Sequence, residues 1–226
     1  MGQRRNYNRI KLVITVRKFI SLLSGGLDSP IAAYVMMQRG FTPIFISLLT
    51  SDDYEESMKN KVINIVKVLS TFTQNELKIY FINHDHNLEG FKQACDRKLT
   101  CILCKRLMLR ISQQIGRLEG TNIIVTGDIL GEQASQTLDN LYSYQNIIQD
   151  FILIRPLIGW DKQEVIDLNK KIGLYKITSE ASAGCKFNPQ YPETHAKLSE
   201  VEDSEKKVNI PNLVEKSVND AEVLKF

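Results

Sequence analysis

Apolar residues fall along the chain in two kinds of run, and the two kinds alternate. Short continuous runs at 18–23 (KFISLL), 42–49 (TPIFISLL), 77–82, 121–126 (TNIIVT) and 151–157 (FILIRPL) have the length and composition of strands buried on both faces. Between them, apolar side chains recur at helical spacing: Ile31, Ala32, Tyr34 and Val35 within 29–39, then Met58, Val62, Ile65, Val66 and Leu69 within 55–72. Further helical stretches are predicted at 88–94, 102–118, 133–141 and 161–172. Pro30 sits in a first turn, where it is tolerated; Gly40 is a stop and Asp161 an N-cap. Five strands alternating with helices predict an α/β fold with a doubly wound, parallel, five-stranded sheet.

After about Gly173 the chain turns polar, with Pro189, Pro192 and Pro211. The expected division is a basic N-terminal arm over 1–17, a main domain over 18–198, and a charged tail over 199–226, helical or partly disordered.

Charge adds one feature. The first 27 residues hold Arg4, Arg5, Arg9, Lys11, Arg17 and Lys18 and no carboxylate, while the rest carries 23 basic and 26 acidic side chains. A basic arm on a mildly acidic body reads as a nucleic-acid contact or as a solvated tail. With 43% hydrophobic and 24% charged residues the composition is that of a folded globular chain. No apolar run has membrane-spanning length and no secretory signal opens the chain, so a cytoplasmic protein is expected. Four cysteines in 226 residues are too few for a disulfide scaffold.

The first chemical motif is Ser24-Gly25-Gly26-Leu27-Asp28-Ser29-Pro30, where the first strand meets the first helix. Two glycines let the backbone turn tightly, two hydroxyls add donors, and the helix N-terminus adds positive potential. Pyrophosphate suits such a loop, and the carboxylate of Asp28 implies Mg²⁺ as a bridge. A second segment, 127–137, follows the fourth strand on the same carboxyl edge of the sheet, with Gly127 for close approach of a nucleotide and Gln133 and Gln136 for its polar oxygens. The third group is Cys101, Cys104 and Cys185. Cys101 and Cys104 form a Cys-x-x-Cys at a helix start, where the helix terminus, Lys105 and Arg106 are expected to lower the thiol pKa. Three thiolates with an open position fit an iron–sulfur cluster or zinc; as free thiols they would serve a cysteine relay or simply pack. Cys95 is expected to pack, His84 and His86 to lie on a solvated loop, and His195 to be structural.

The Ser-Gly-Gly-x-Asp-Ser loop resembles the PP-loop of ATP pyrophosphatases, whose domains have an adenine nucleotide alpha hydrolase-like fold. The Pro after Ser29, the Gly127–Thr137 segment with its Ala-Ser-Gln-Thr, and Arg155-Pro156-Leu157 followed by Asp161-Lys162 are similar to the ThiI family, the tRNA 4-thiouridine synthetases. The resemblance runs over about 18–196. It implies ATP contacts at Leu22, Leu23, Ser24, Gly25, Gly26, Asp28, Ser29, Ser47, Leu48, Lys105, Gly127, Gln133 and Gln136. It also implies Mg²⁺ at Asp28, an iron–sulfur site (zinc less so) on Cys101, Cys104 and Cys185 as in archaeal-type members, and a catalytic role for Asp28 and Cys185.

The activity implied is ATP-dependent sulfur insertion into a tRNA uridine through an adenylated base. Family members also carry an RNA-capturing THUMP domain and some a rhodanese domain; neither is expected here. The chain is then expected to be either an isolated catalytic domain or one served by a separate THUMP-type chain; the partners expected are tRNA, that THUMP-type chain, an unidentified sulfur donor and, for a homodimer, a second copy. Two alternatives are an adenylating enzyme for another substrate, such as another base or a thiazole precursor, and a non-catalytic nucleotide-binding subunit of an RNA-modification complex.

Overall fold

The computed structural model describes residues 17–50, 52–148, 150–181 and 184–226, and for 52–56 the backbone alone. The basic arm thus lies almost wholly outside the described residues. Five strands, β1 (Arg17–Leu22), β2 (Phe41–Leu49), β3 (Lys78–Asn83), β4 (Ile123–Val125) and β5 (Ile152–Ile154), pair in parallel in the order β5-β4-β1-β2-β3. The order reverses at β1, the first strand, so the crevice at a doubly wound switch point opens beside its carboxyl end.

Successive residues of the central strands are buried to opposite sides, as a sheet covered on both faces requires. Phe19, Phe45, Ile79 and Val125 join one apolar cluster, packed by α1 (Asp28–Met37), α2 (Asp52–Ser70) and α6 (Lys162–Lys171). Ile20, Ile44, Ile46 and Ile124 join the other, packed by α3 (Asp85–Ala94) and α4 (Thr100–Glu119). The chain leaves α1 through Gly40, whose φ of +81° is left-handed backbone that side chains rarely adopt. Asp161 caps α6 through a full capping box with Glu164.

Two expectations are corrected. The stretch 133–141 is not one helix: a 3₁₀ turn at Ala134–Gln136 stops at Thr137, whose extended backbone (φ −74°, ψ 159°) begins α5 (Leu138–Tyr142) as its N-cap. The C-terminal stretch is not an appendage. After α7 (Tyr175–Thr178) it forms α8 (Leu198–Glu205), α9 (Ile210–Asn219) and β6 (Glu222–Lys225), and β6 pairs antiparallel with β3 as a sixth strand. Antiparallel addition needs no crossover helix. Val201 of α8 is buried in the second cluster and α9 lays Leu213, Val214 and Val218 against it. Among the described residues no helix is long and apolar enough to cross a membrane.

Candidate functional site

The loop between β1 and α1 is tied to itself. The Ser24 amide donates to Ser29 Oγ at 2.8 Å, the two hydroxyls lie 3.0 Å apart, and the Gly26 amide donates to Ser24 Oγ at 3.3 Å. No side chain caps α1, so its first amides face the loop unclaimed by a cap. At Gly25 an added Cβ would lie 2.7 Å from Met58 Sδ, so the flexible Met58 side chain would have to move aside.

Gly127 has a steric reason to be glycine besides any approach of a nucleotide. A Cβ there would stand 2.7 Å from both Cα and N of Ser29 and 2.9 Å from the carbonyl carbon of Asp28. What approaches closely is the N-terminus of α1, backbone that cannot yield. Gly127 therefore locks the β4 edge against the loop, while also lining the cleft.

That cleft, of about 530 Å³, opens at the switch point. Of the predicted nucleotide contacts, Leu22, Leu23, Ser24, Asp28, Ser29, Leu48, Lys105, Gly127, Gln133 and Gln136 line it. Gly25, Gly26 and Ser47 are not among the lining residues, and Ser47 is buried within the sheet. Gln136 is buried at the cleft wall, and its Oε1 has no hydrogen-bond partner.

Charge in the cleft is organised by two residues the motif reading left out of the site. Asp128 is 1% exposed and takes Lys105 Nζ at 2.7 Å, Thr126 Oγ1 at 2.7 Å and Arg155 Nε at 3.2 Å. Burial alone would raise its pKa; Lys105, Thr126 and Arg155 outweigh that and hold the carboxyl below its usual range. The buried carboxylate in turn holds Lys105 on the cleft wall. The second residue is Lys162, the first of α6, whose Nζ lies 2.6 Å from Asp28 Oδ1 and 3.6 Å from Glu132 Oε2. Both carried a signal: Asp128 lies in the second motif, and Lys162 follows the predicted cap.

The three cysteines meet the same cleft, which Cys101, Cys104 and Cys185 line from α4 and the loop after α7. The Cys185 loop is pinned by Lys186 to Asp85 at 2.6 Å, by Arg97 to the Phe187 carbonyl at 3.3 Å, and by Cys101 Sγ to Asn188 Oδ1 at 3.4 Å. Cys95 points elsewhere, donating to the Ser204 carbonyl at 3.3 Å. The expected lowering of the Cys-x-x-Cys thiols is corrected. Burial pushes Cys104 up to about 12, helped by Cys185 and Cys101, and burial likewise raises Cys101. Arg106 does not help, because it turns away into a buried pair with Glu205 at 2.8 Å, and the lowering that Lys105 does exert on Cys104 is outweighed by burial. His84 is corrected too: it is fully buried, with Nε2 3.3 Å from Cys104 Sγ. Among the described residues, no three His, Cys, Asp or Glu side chains are gathered closely enough to hold one metal ion.

The family model described as thiamine biosynthesis protein (ThiI) matches residues 14–210. The chain belongs to the ThiI family. A relative from Methanosarcina mazei named "Probable tRNA sulfurtransferase" is 39% identical over 94% of the chain and 52% of its own length. One of the same name from Methanocaldococcus jannaschii is 39% identical over 85% of the chain and 50% of its own length. The chain therefore spans about half the length of these curated ThiI relatives. A crystal structure of a 4-thiouridine synthetase–RNA complex with bound ATP superposes with a TM-score of 0.88 at 31% identity, over 93% of the chain and 55% of that one. An NMN synthetase from Francisella tularensis shares the fold alone, with a TM-score of 0.56 at 17% identity.

Proposed function

We propose that this ThiI-family chain binds ATP in the switch-point cleft, adenylates a tRNA uridine and directs sulfur onto it. One observation carries the reading: the PP-loop, the Lys105–Asp128 pair and three thiols all line a single cleft. The likeness to a 4-thiouridine synthetase that binds RNA and ATP supports it.

The chemistry follows from the groups present. A pyrimidine oxo group is a poor leaving group, so the uridine O4 first attacks the α-phosphate and pyrophosphate departs. The facing amides of α1, the Ser24 and Ser29 hydroxyls and Lys162 receive the phosphate charge. Asp28 and the two hydroxyls are hard oxygen donors that suit Mg²⁺, which would neutralise charge on the departing pyrophosphate. Gln136 Oε1 offers an acceptor to the nucleotide. A sulfur anion then attacks the uridine carbon, and AMP leaves with the oxygen. Cys185, exposed on its loop, presents that sulfur as a persulfide loaded by a sulfane-sulfur donor; the thiolate of Cys101 or Cys104, which line the same cleft, then attacks Cys185 Sγ, breaking the S–S bond to release the thiouridine and leave a disulfide.

The three thiols have the donor chemistry of an iron–sulfur site. Among the described residues they are not gathered into a metal-holding set; the metal-free route carries the sulfur through the thiols themselves. Iron and acid-labile sulfide analysis of protein purified without oxygen separates the two arrangements: stoichiometric iron lost in Cys101→Ser, Cys104→Ser and Cys185→Ser overturns the metal-free route.

ATP–pyrophosphate exchange with and without tRNA tests the main reading. Exchange that requires tRNA, with AMP release and thiolated uridine by nucleoside mass spectrometry, is the expected result. Exchange dependent on a different substrate, or ATP binding with no exchange, overturns it.

A further inference from the structure

Behind the thiol wall runs a buried chain of side chains that the adenylation chemistry does not use. His84, at the end of β3, is 0% exposed, as is Asn87 in the first turn of α3. Asn87 Nδ2 lies 3.1 Å from His84 Nδ1 and donates to Ser217 Oγ of α9 at 2.9 Å. On its far side His84 Nε2 lies 3.3 Å from Cys104 Sγ.

Hydrogen-bond satisfaction decides which way the protons face. With Nδ2 toward His84 and Ser217, both amide hydrogens are used and one acceptor, Asn87 Oδ1, is left alone. Turning the amide over would strand two buried N–H donors instead, the costlier arrangement. His84 Nδ1 is then an acceptor, so the single proton of the neutral ring sits on Nε2 and points at Cys104.

We propose that His84 is a positioning residue for the sulfur site: locked by Asn87 and Ser217 as the Nε2–H tautomer, it donates a permanent hydrogen bond to the sulfur of Cys104. The sulfur chemistry it would serve rests on the reading given above; the hydrogen bond itself does not. The ring is fully buried and engaged at both nitrogens, Nδ1 by the Asn87 amide and Nε2 toward Cys104, which leaves no place for a second ring proton. A neutral donor stabilises an anion there without supplying a proton that would quench it. Both the thiol held by Cys104 and any sulfur it carries would be aimed into the cleft by the same bond. The arrangement also gives α9 a role at the site, because Ser217 is the outer anchor of the chain.

Two measurements on the full chain test this. Nitrogen-15 NMR of the imidazoles reads the tautomer in the unmodified protein: Nε2 protonated and Nδ1 bare is expected, with Nε2 shifting in Cys104→Ala. A proton on Nδ1, or no response to Cys104→Ala, overturns the proposal. The second measurement is iodoacetamide alkylation of Cys104 against pH, followed by peptide mass spectrometry. In His84→Phe the Cys104 profile should move up by about one pH unit or more, a tenfold loss of thiolate at a given pH, while Cys95 is unmoved. His84→Gln, which keeps an N–H donor, should restore most of the shift. Superimposable wild-type and His84→Phe profiles, or a Gln variant that behaves as Phe, overturn it. Failure of tRNA thiolation with these results intact would instead overturn the functional reading.

Discussion

Lys162 Nζ lies 2.6 Å from Asp28 Oδ1, and each is the first residue of its helix, α6 and α1. Two helix N-termini, both positive ends, thus converge on one loop, bridged by an ion pair. An incoming polyphosphate competes with Asp28 for Lys162 and frees the carboxylate. Lys162→Ala should therefore lower ATP–pyrophosphate exchange by about 100-fold, as loss of one preorganised electrostatic contact does. Asp28→Ala should abolish exchange. Because both side chains are partly exposed, the melting temperature should stay within a few degrees in each variant. Near-wild-type exchange in either variant is the outcome against the assignment.

Gly127 supplies a steric test. A Cβ at 2.7 Å from the Ser29 backbone forces the β4 edge and the loop apart. Gly127→Ala should destabilise the protein by about 1–3 kcal/mol, as overpacking does, and weaken ATP binding through the displaced loop. Gly90→Ala in α3, away from the loop, is the control, since its added Cβ would meet nothing within 4 Å. Thermal melts and ATP titration of the pair decide the matter; equal behaviour would mean the loop tolerates movement at Gly127.

Removal of 198–226 should leave no folded protein. β6 is bonded to β3, and the Leu77 and Phe226 backbones exchange two hydrogen bonds of 2.9 Å. Deletion also strips α8, whose Glu205 pairs with Arg106, a guanidinium 1% exposed in the second core. An unpaired buried charge costs about 3–5 kcal/mol, a large part of a domain's stability. A cooperative melt in the truncated chain would show the C-terminal elements to be dispensable.

How much of this the sequence could tell varies with the range of the interaction. Strands such as β2 and helices such as α2 were legible because continuous or helically spaced apolar residues report burial locally. The capping of α6 was legible because Asp161 and Glu164 lie three residues apart. β6 was not: Glu-Val-Leu-Lys is a short edge strand whose partner is some 145 residues away, and its pairing uses backbone rather than pattern. The loop, Lys105 and the cysteines were found by motif. The environment of each was not, because it comes from distant residues: Asp128 behind Lys105, Lys162 across from Asp28, Glu205 drawing Arg106 away from the thiols. His84 shows the limit most sharply. Between polar neighbours it reads as a loop residue, and only the docking of α4 and α9 makes it a buried partner of Cys104.

That burial has a consequence for acid stability. His84 is held neutral down to about 3, by burial first and His86 second, against an ordinary value of 6.5. Below pH 6.5 the unfolded chain binds a proton at this residue that the folded chain does not, until the folded value is reached. Stability is therefore fully present above pH 6.5 and is lost as pH falls toward 3, at up to about 1.4 kcal/mol per pH unit. The carboxylates held low by their partners, Asp128 and Glu205, pull in the same direction but only below their own unfolded range near 4 to 4.5. His86, lowered by burial and then by Lys216, adds to the upper window. Between pH 6.5 and 4.5 the loss thus belongs mainly to His84. Urea unfolding across that window should show wild-type stability dropping by about 2–3 kcal/mol. His84→Gln, which keeps a donor toward Cys104 but does not titrate, should drop distinctly less, the remainder belonging to His86. Parallel slopes in the two proteins would mean that the imidazole takes up its proton in the folded state, and so is not sealed in the core as the structure has it.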